Sequence, residues 1–357
     1  MAFPFERDIS RETCAKVMYA KLKAKLADTV PDFELKMKAE AAACVNELKK
    51  NKNAIVLGHN YMEPALFHSV PDFTGDSLEL CRAAAETDAD IIVFCGVRFM
   101  AETAKILNPD KTVLLPSEKA GCSLAESITP DDVRSLKERF PGVPVVAYIN
   151  TYADLKAEAD ACCTSANAAR VVEALDGDAV ILIPDGFLTR NVAKETGRTV
   201  LFPKPGGNGG YWMAGDDLQL IGWEGRCEVH EKFQVQDIEN ARAQFPDVKV
   251  LAHPECSPEV VEASDFSGST SAMIRYVEES DATRHLLLTE CTMGDNVAAV
   301  NPDKEMLRLC SVRCPHMNQI TVENTRTALM KNQFVIEVDE DIARRARKAI
   351  DRMMAIQ

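Results

Sequence analysis

A-I-V-L-G-H-N-Y, residues 54–61, is a short apolar run that ends in polar side chains, and two later stretches repeat its design. They are V-V-A-Y-I-N-T (145–151) and V-K-V-L-A-H-P-E-C (248–256). Each opens with the β-branched and aliphatic residues that suit a buried strand. Each closes on a polar pair: His59 and Tyr61, then Tyr148 and Asn150, then His253 and Glu255. A second matched stretch follows in every copy: D-F-T-G-D-S-L-E-L (72–80), A-C-C-T-S-A-N-A-A (161–169) and D-F-S-G-S-T-S-A-M (265–273). Each puts small hydroxyl residues where a helix should start, namely Ser77, then Thr164 and Ser165, then Ser269 and Thr270. Such residues cap helices, and a helix N-terminus also holds anions through its unpaired N–H groups and its dipole.

The third matched stretch is again a strand and a turn: I-I-V-F-C-G-V-R-F-M-A-E-T-A (91–104), V-I-L-I-P-D-G-F-L-T-R-N-V-A (180–193) and L-L-L-T-E-C-T-M-G-D-N-V-A (286–298). Each copy then returns through a short strand, T-V-L-L-P (112–116), T-V-L-F-P (199–203) or M-L-R-L (306–309), and runs on to a cysteine. Strands alternating with helices at this spacing build parallel sheets, which bind ligands at the carboxyl ends of their strands. The expected fold is α/β: three homologous three-layer αβα domains with parallel sheets, arranged around a pseudo-threefold axis with a central cavity. The expected boundaries are 53–124 for domain 1 (completed by the C-terminal segment 311–357), 125–228 for domain 2 and 229–310 for domain 3. Residues 1–52 form an N-terminal helical extension on domain 1, since apolar residues there recur at helical spacing. The tail, 320–357, has the same spacing and is expected to pack back on the first domain.

A length of 357 residues allows two or three domains, and 46% hydrophobic with 27% charged residues is an ordinary globular balance. The net charge of −14 with no basic block argues against a nucleic-acid partner. No apolar run reaches the ~18 residues of a membrane span. Met1 to Ser10 carries Glu6, Arg7 and Asp8 and lacks an apolar signal core, so a cytoplasmic protein is expected. Twelve cysteines in such a compartment point to a metal-bound subset rather than to disulfides.

That subset is found by position. W-E-G-R-C-E-V-H (223–230) places Cys227 and His230 three residues apart, on one face if a helix starts there. Cys122, Cys227 and either Cys310 or Cys314 close the three repeats. Cys95 and Cys291 match each other but find Pro184-Asp185-Gly186 in the second copy. Cys14, Cys44 and Cys81 lie in helical stretches and read as core. One thiolate from each repeat suits a [4Fe–4S] cluster with one iron open to substrate, where it acts as a Lewis acid. Structural zinc is the competitor, disfavoured because tight C-x₂-C pairs are missing. Cys314 is preferred over Cys310 for its Cys-Pro context. His68 and His285 read as packing or surface residues rather than ligands, and Arg98 and Lys204 as phosphate contacts or surface pairs.

G-H-N-Y, F-x-G-D-S, G-C-S-L-A, Y-I-N-T, C-C-T-S-A-N-A, G-x-C-x-V-H, H-P-E-C, G-S-T-S-A-M, T-E-C and C-P-x-M occur in this order between Asn53 and Leu329. In these motifs the chain resembles the quinolinate synthase family. The resemblance implies a transferase that condenses iminoaspartate with dihydroxyacetone phosphate to quinolinate, with loss of phosphate and water, in de novo NAD synthesis. It implies a [4Fe–4S] cluster on Cys122, Cys227 and Cys314. It implies a substrate cavity of His59, Tyr61, Ser77, Tyr148, Asn150, Ser165, His230, His253, Glu255, Ser269 and Thr270. Within it Tyr61, His59, Glu255 and His230 are the expected acids and bases. Some members carry C-x-x-C-x-x-C before the third ligand, whereas this chain has only Cys310 and Cys314, which leaves little basis for a disulfide switch. An aspartate oxidase, maker of the unstable iminoaspartate, is the expected pathway neighbour. A hydro-lyase using the same open iron, or an iron–sulfur redox carrier, are the rival readings. The carrier would not need a ring of polar side chains at the strand ends.

Overall fold

The computed structural model describes residues 14–175, 177–203, 219–309 and 312–356. Its strands, in chain order among the described residues, are β1 (Ala54–His59), β2 (Phe73–Gly75), β3 (Ile91–Cys95), β4 (Thr112–Leu114), β5 (Val145–Tyr148), β6 (Ala161–Cys163), β7 (Ala179–Ile183), β8 (Thr199–Leu201), β9 (Gln219–Gly222), β10 (Lys249–Ala252), β11 (Phe266–Ser267), β12 (Arg284–Leu288) and β13 (Glu305–Leu307). They form three parallel sheets with interleaved helices. The first has the order β2-β1-β3-β4 and the second β6-β5-β7-β9-β8. In the third, β10 pairs with β11 and β12 with β13. The continuous Val/Ile/Leu runs explain this choice. A parallel sheet covered by helices on both faces needs strands without alternation, and β3 and β7 are buried at every residue.

The described chain divides into two compact units. One comprises Met1–Gly121, Asp247–Lys249 and Thr270–Glu337, the other Cys122–Pro246, Val250–Ser269 and Val338–Gln357.

Each repeat starts from the same small device. Asp72, Asp160 and Asp265 accept the backbone N–H of Val56, Val145 and Val250 through Oδ2, at 2.8, 2.8 and 2.9 Å. Their own N–H groups return a bond of 2.8 Å to the carbonyls of the same three valines. This reciprocal clamp sets the register. Counting from the valine, the third residue is His59, Tyr148 or His253, and the fifth is Tyr61, Asn150 or Glu255. Counting from the aspartate, the fifth residue is Ser77, Ser165 or Thr270. The polar pairs read from sequence therefore stand in true register. Among the hydroxyls, the register selects Thr270 rather than Ser269 as the match to Ser77 and Ser165.

Three expectations about elements need correction. Ser77 is not a cap: the helix Ser77–Glu86 is capped by Asp76, which accepts from Leu78 and Glu79 N–H while Glu79 returns a bond to the Asp76 N–H. Thr164 and Ser165 precede Asn167, which caps the short helix Ala168–Glu173 by position only. The return strand of the second repeat is β9, not T-V-L-F-P. β9 pairs directly with β7, as β4 pairs with β3, and β8 lies outside it as an extra edge strand. Two strands of equal character compete for one place, and only pairing decides between them.

The helices Ala15–Leu26 and Asp32–Asn51 lie where the N-terminal periodicity puts them, with Leu22, Leu26, Leu35 and Val45 buried. The second rests on β1 and carries Lys49, buried and paired with Asp72 at 2.8 Å. The tail divides. The helix Val322–Lys331 packs on Asp32–Asn51 and β3, but the helix Glu340–Ala355 packs on β6 and the helix Ala153–Lys156, not on the first repeat. Its apolar stripe of Ala346, Ala349, Ile350 and Met353 is fully buried there. An amphipathic stripe states that a partner exists, not which one.

Candidate active site

In the unit that contains Cys122–Pro246 and Val250–Ser269, polar side chains from the ends of β5 and β10 and from the turn after Cys227 converge on Glu255. Its Oε1 accepts from the Tyr148 hydroxyl and from Asn150 Nδ2 at 3.2 Å, and its Oε2 meets His230 Nδ1 at 2.7 Å. His253 stacks on the His230 ring at 4.5 Å and accepts the Glu255 N–H through Nδ1 at 3.3 Å. Glu255 is 3% exposed. Burial alone would favour its neutral form, yet the charge and hydrogen bond of His230, the charge of His253 and the Tyr148 hydroxyl together hold its carboxyl below the usual range. A proton on His230 Nδ1 satisfies the Glu255 carboxylate.

The chain after Cys227 makes a 3₁₀ turn, His230–Lys232, rather than an α-helix, and Glu231 N–H bonds back to the Cys227 carbonyl at 3.0 Å. The turn does bring Cys227 Sγ and His230 Nδ1 onto one side, 3.2 Å apart. Donor atoms of Cys227, His230 and Glu255 all lie within 4.8 Å of one another. Burial, the Glu255 charge and the Cys122 sulfur push the Cys227 thiol well above its ordinary value. A buried thiol whose proton affinity is raised by a carboxylate and a second sulfur is in the electrostatic condition that a bound cation relieves, since a metal holds thiolates deprotonated. These donors fit a thiolate-bound metal.

In the other unit, His59 is buried at the end of β1, accepts the Tyr61 N–H at 3.2 Å and meets the Tyr61 ring edge-on at 4.6 Å. The Tyr61 hydroxyl bonds to Thr289 Oγ1. Asn60 Nδ2 donates to Thr270 Oγ1 at 2.9 Å and to Ser271 Oγ at 3.1 Å. Cys314 donates its N–H to Glu290 Oε1 at 3.4 Å. Glu290 is buried, and its carboxyl rises to about 7 because burial outweighs its bonds from Thr292 and Cys314 and the Arg313 charge.

The cysteines sort by environment. Cys122, Cys227 and Cys314 are half-buried, as are Cys44 and Cys291; Cys81, Cys95, Cys162, Cys163 and Cys256 are buried, and Cys14, which reads as core in the sequence, is exposed. Burial pushes Cys95 and Cys162 up to about 12, which keeps them as inert thiols. Cys122, Cys227 and Cys314 are each followed at the same interval by a 3₁₀ turn, Ala125–Ser127, His230–Lys232 or Met317–Gln319. Each is followed eight residues on by a helix, starting at Pro130, Val235 or Val322. Cys314 thus stands in register with Cys122 and Cys227. Cys310, Lys204 and the glycine-rich stretch 206–215 lie outside the described residues.

Of the expected residues, Tyr148, Asn150, Cys227, His230, His253 and Glu255 form one network; in the other unit His59 and Tyr61 touch each other, and Thr270 bonds to Asn60 between them in sequence. Ser77 and Ser165 are half-buried and make no hydrogen bond among the described residues. Ser269 is buried. Arg98 pairs with Glu102 at 2.8 Å on its own helix. His68 and His285 are buried, as packing residues should be. Sequence reading missed Asn60, Asp185, Thr289 and Glu290. Asp185 is 1% exposed, accepts Leu188 N–H through Oδ1 at 2.8 Å and has no hydrogen-bond partner for Oδ2 among the described residues. Burial and then the Glu255 charge hold it well above the carboxylate range. The available signal was an acidic residue directly before the helix after the third strand, in two repeats of three.

A family profile described as NadA, Quinolinate synthetase A protein, matches residues 43–355. A quinolinate synthase of Xylella fastidiosa (strain 9a5c) is 53% identical over 310 residues, 87% of this chain and 85% of that protein. One of Agrobacterium fabrum is 49% identical over 354 residues, 99% of this chain and 95% of that protein. A quinolinate synthase 2 of Mesorhizobium japonicum is 49% identical over 327 residues, 92% and 94% of the two chains. With a profile that spans nearly the whole chain and relatives of this identity, the chain is an enzyme that belongs to the quinolinate synthase family.

Proposed function

We propose that this enzyme condenses iminoaspartate with dihydroxyacetone phosphate to give quinolinate, phosphate and two waters, as a step of de novo NAD synthesis. The observation that supports it best is the threefold register. One cysteine per repeat set three residues before the same 3₁₀ turn, and one polar pair per repeat at the strand end, are what a shared cluster and a shared substrate site require. In this reading Cys122, Cys227 and Cys314 hold a [4Fe–4S] cluster, and the repeats 53–124, 125–228 and 229–310 turn their strand ends to a central cavity about a pseudo-threefold axis. When bound, the cluster supplies an open Lewis-acidic iron that polarises a substrate hydroxyl or carboxylate. Structural zinc with His230 as fourth ligand is less favoured, because His230 Nδ1 is already committed to Glu255.

The chain's own residues divide the remaining work. Ser77, Ser165 and Thr270, with Ser269, offer hydroxyls to the phosphate and carboxylates of the substrates. His230 moves a proton at Nε2, while Glu255 orients it and balances the imidazolium charge, as the carboxylate of a hydrolase triad does. His59 and Tyr61 supply the second proton-handling pair, with Thr289 aiming the Tyr61 hydroxyl. No helix among the described residues is long and apolar enough to cross a membrane. A cytoplasmic enzyme fed by an aspartate oxidase completes the proposal.

The test is anaerobic purification with iron and sulfide analysis, followed by conversion of labelled iminoaspartate and dihydroxyacetone phosphate to a pyridine dicarboxylate. Cys227→Ser should lose the iron–sulfur absorbance and the product together. Iron at the wild-type level in that variant overturns the ligand set, and dehydration of a hydroxy acid without pyridine formation would favour the hydro-lyase reading.

A further inference from the structure

The segment that carries each cysteine is tied to its repeat at one backbone point. Arg98 N–H donates to the Ala120 carbonyl at 2.8 Å, Gly186 N–H to the Gly225 carbonyl at 3.0 Å and Cys291 N–H to the Val312 carbonyl at 3.1 Å. The donor is in every case the first residue of the helix that follows the third strand: Arg98–Leu107, Gly186–Thr196 or Cys291–Ala298. The acceptor is in every case two residues before the cysteine. A second bond closes the other side. The carbonyls of Cys122, Cys227 and Cys314 accept from Glu126, Glu231 and Asn318 N–H at 3.1, 3.0 and 3.1 Å. Each sulfur is thus bracketed by the same two bonds, although the residues around the three cysteines differ.

Two repeats add to the bracket. In the second, Gly225 also donates its N–H to the Pro184 carbonyl at 3.1 Å. A Cβ at Gly225 would lie 2.5 Å from the Pro184 oxygen and 2.5 Å from Ser127 Oγ, so no side chain fits without displacing the strand end or the segment leading to Cys227. In the third, Glu290 accepts Thr292 N–H through Oε2 at 2.8 Å, and Thr292 Oγ1 and the Cys314 N–H through Oε1 at 3.0 and 3.4 Å. It joins the helix start to the cysteine's own amide.

We propose that this bracket sets each thiolate for its metal, and that Gly225 and Glu290 are positioning residues for Cys227 and Cys314. The proposal rests on the reading of these cysteines as metal ligands. Outer contacts that orient ligands typically change metal affinity by roughly 10–100-fold. A purely structural bracket would alter unfolding and leave the bound metal's signature untouched.

The experiment compares full-length wild type, Gly225→Ala, Glu290→Ala, Glu290→Gln and Cys227→Ser, all reconstituted anaerobically with iron and sulfide. Circular dichroism and urea unfolding report the fold, chelator challenge reports metal retention, and electron paramagnetic resonance of the reduced proteins reports the ligand environment. Gly225→Ala and Glu290→Ala should fold yet release iron roughly 10–100-fold more readily and show shifted resonances. Glu290→Gln, which keeps an acceptor for the Cys314 amide, should restore retention. Wild-type retention and resonances in both Gly225→Ala and Glu290→Ala overturn the bracket. If Gly225→Ala does not fold, the Glu290 pair decides alone. If Cys227→Ser retains its iron, the ligand reading itself is at fault; if it loses iron while the other variants behave as wild type, only the bracket fails.

Discussion

Glu255 shows how much a single residue's meaning depends on what folds against it. As a letter in H-P-E-C it is a candidate general acid or base. Its oxygens accept from Tyr148, Asn150 and His230, and this pulls it away from the near-neutral proton affinity of an efficient base. Its charge is better suited to steadying His230. Glu255→Gln should therefore leave iron content unchanged and lower kcat by ~10²–10⁴-fold, the usual contribution of proton transfer. Near-wild-type turnover would remove the residue from this role. His59, Tyr148, His253 and Glu255 were legible because they close apolar runs in matched positions. Asp185, Thr289 and Glu290 were not, because an acid or threonine before a helix reads as a cap. Only burial and an oxygen without a partner among the described residues set Asp185 apart.

At the level of elements, the aspartate clamp explains why three short strand pairs with different residues share one register. The Val145 N–H is buried, and Asp160 supplies its acceptor. Asp160→Ala should lower the stability of the protein by about 1–3 kcal/mol, the cost of a buried donor left unpaired, and Asp160→Asn by less. Urea unfolding measures both, and a cost within 0.3 kcal/mol for the alanine variant would show that water replaces the carboxylate. The clamp was present in the sequence as an aspartate that opens the second stretch (Asp72, Asp265) or directly precedes it (Asp160), but D-F-T-G and D-F-S-G drew attention to the glycine and the hydroxyls. Of the 3₁₀ turns after the cysteines, only the one after Cys227 was read, as a possible helix start. Three-residue turns carry too little periodicity to be seen.

The whole molecule adds an acid limit. Burial, with Lys25 and Lys21 nearby, pushes His68 down to about 3, so it stays neutral in the folded protein while it titrates near 6.5 when unfolded. Between those values the unfolded chain binds more protons, so stability present above pH ~6.5 is lost as the pH falls toward 3. From pH 7 to 5 this one group should remove about 2 kcal/mol. His68→Gln should flatten the difference between urea midpoints at the two pH values. An unchanged slope would assign the acid sensitivity to other groups.

The sequence by itself determined the α/β class, the triplicated strand and helix pattern, the polar pairs at the strand ends and the closing cysteines of the first two repeats, with Cys310 and Cys314 both open for the third. All of these are local patterns, and repetition made them visible without any contact. Tertiary structure alone decided that β9 rather than β8 pairs with β7, that Glu340–Ala355 packs on β6, and that Thr270 is the register partner of Ser77 and Ser165. It also decided that Asp185 and Glu290 are buried acids. The physical reason is common to all four. Each depends on which of several equivalent surfaces or partners a segment meets, and the energy that selects among them is released only when distant parts of the chain pack.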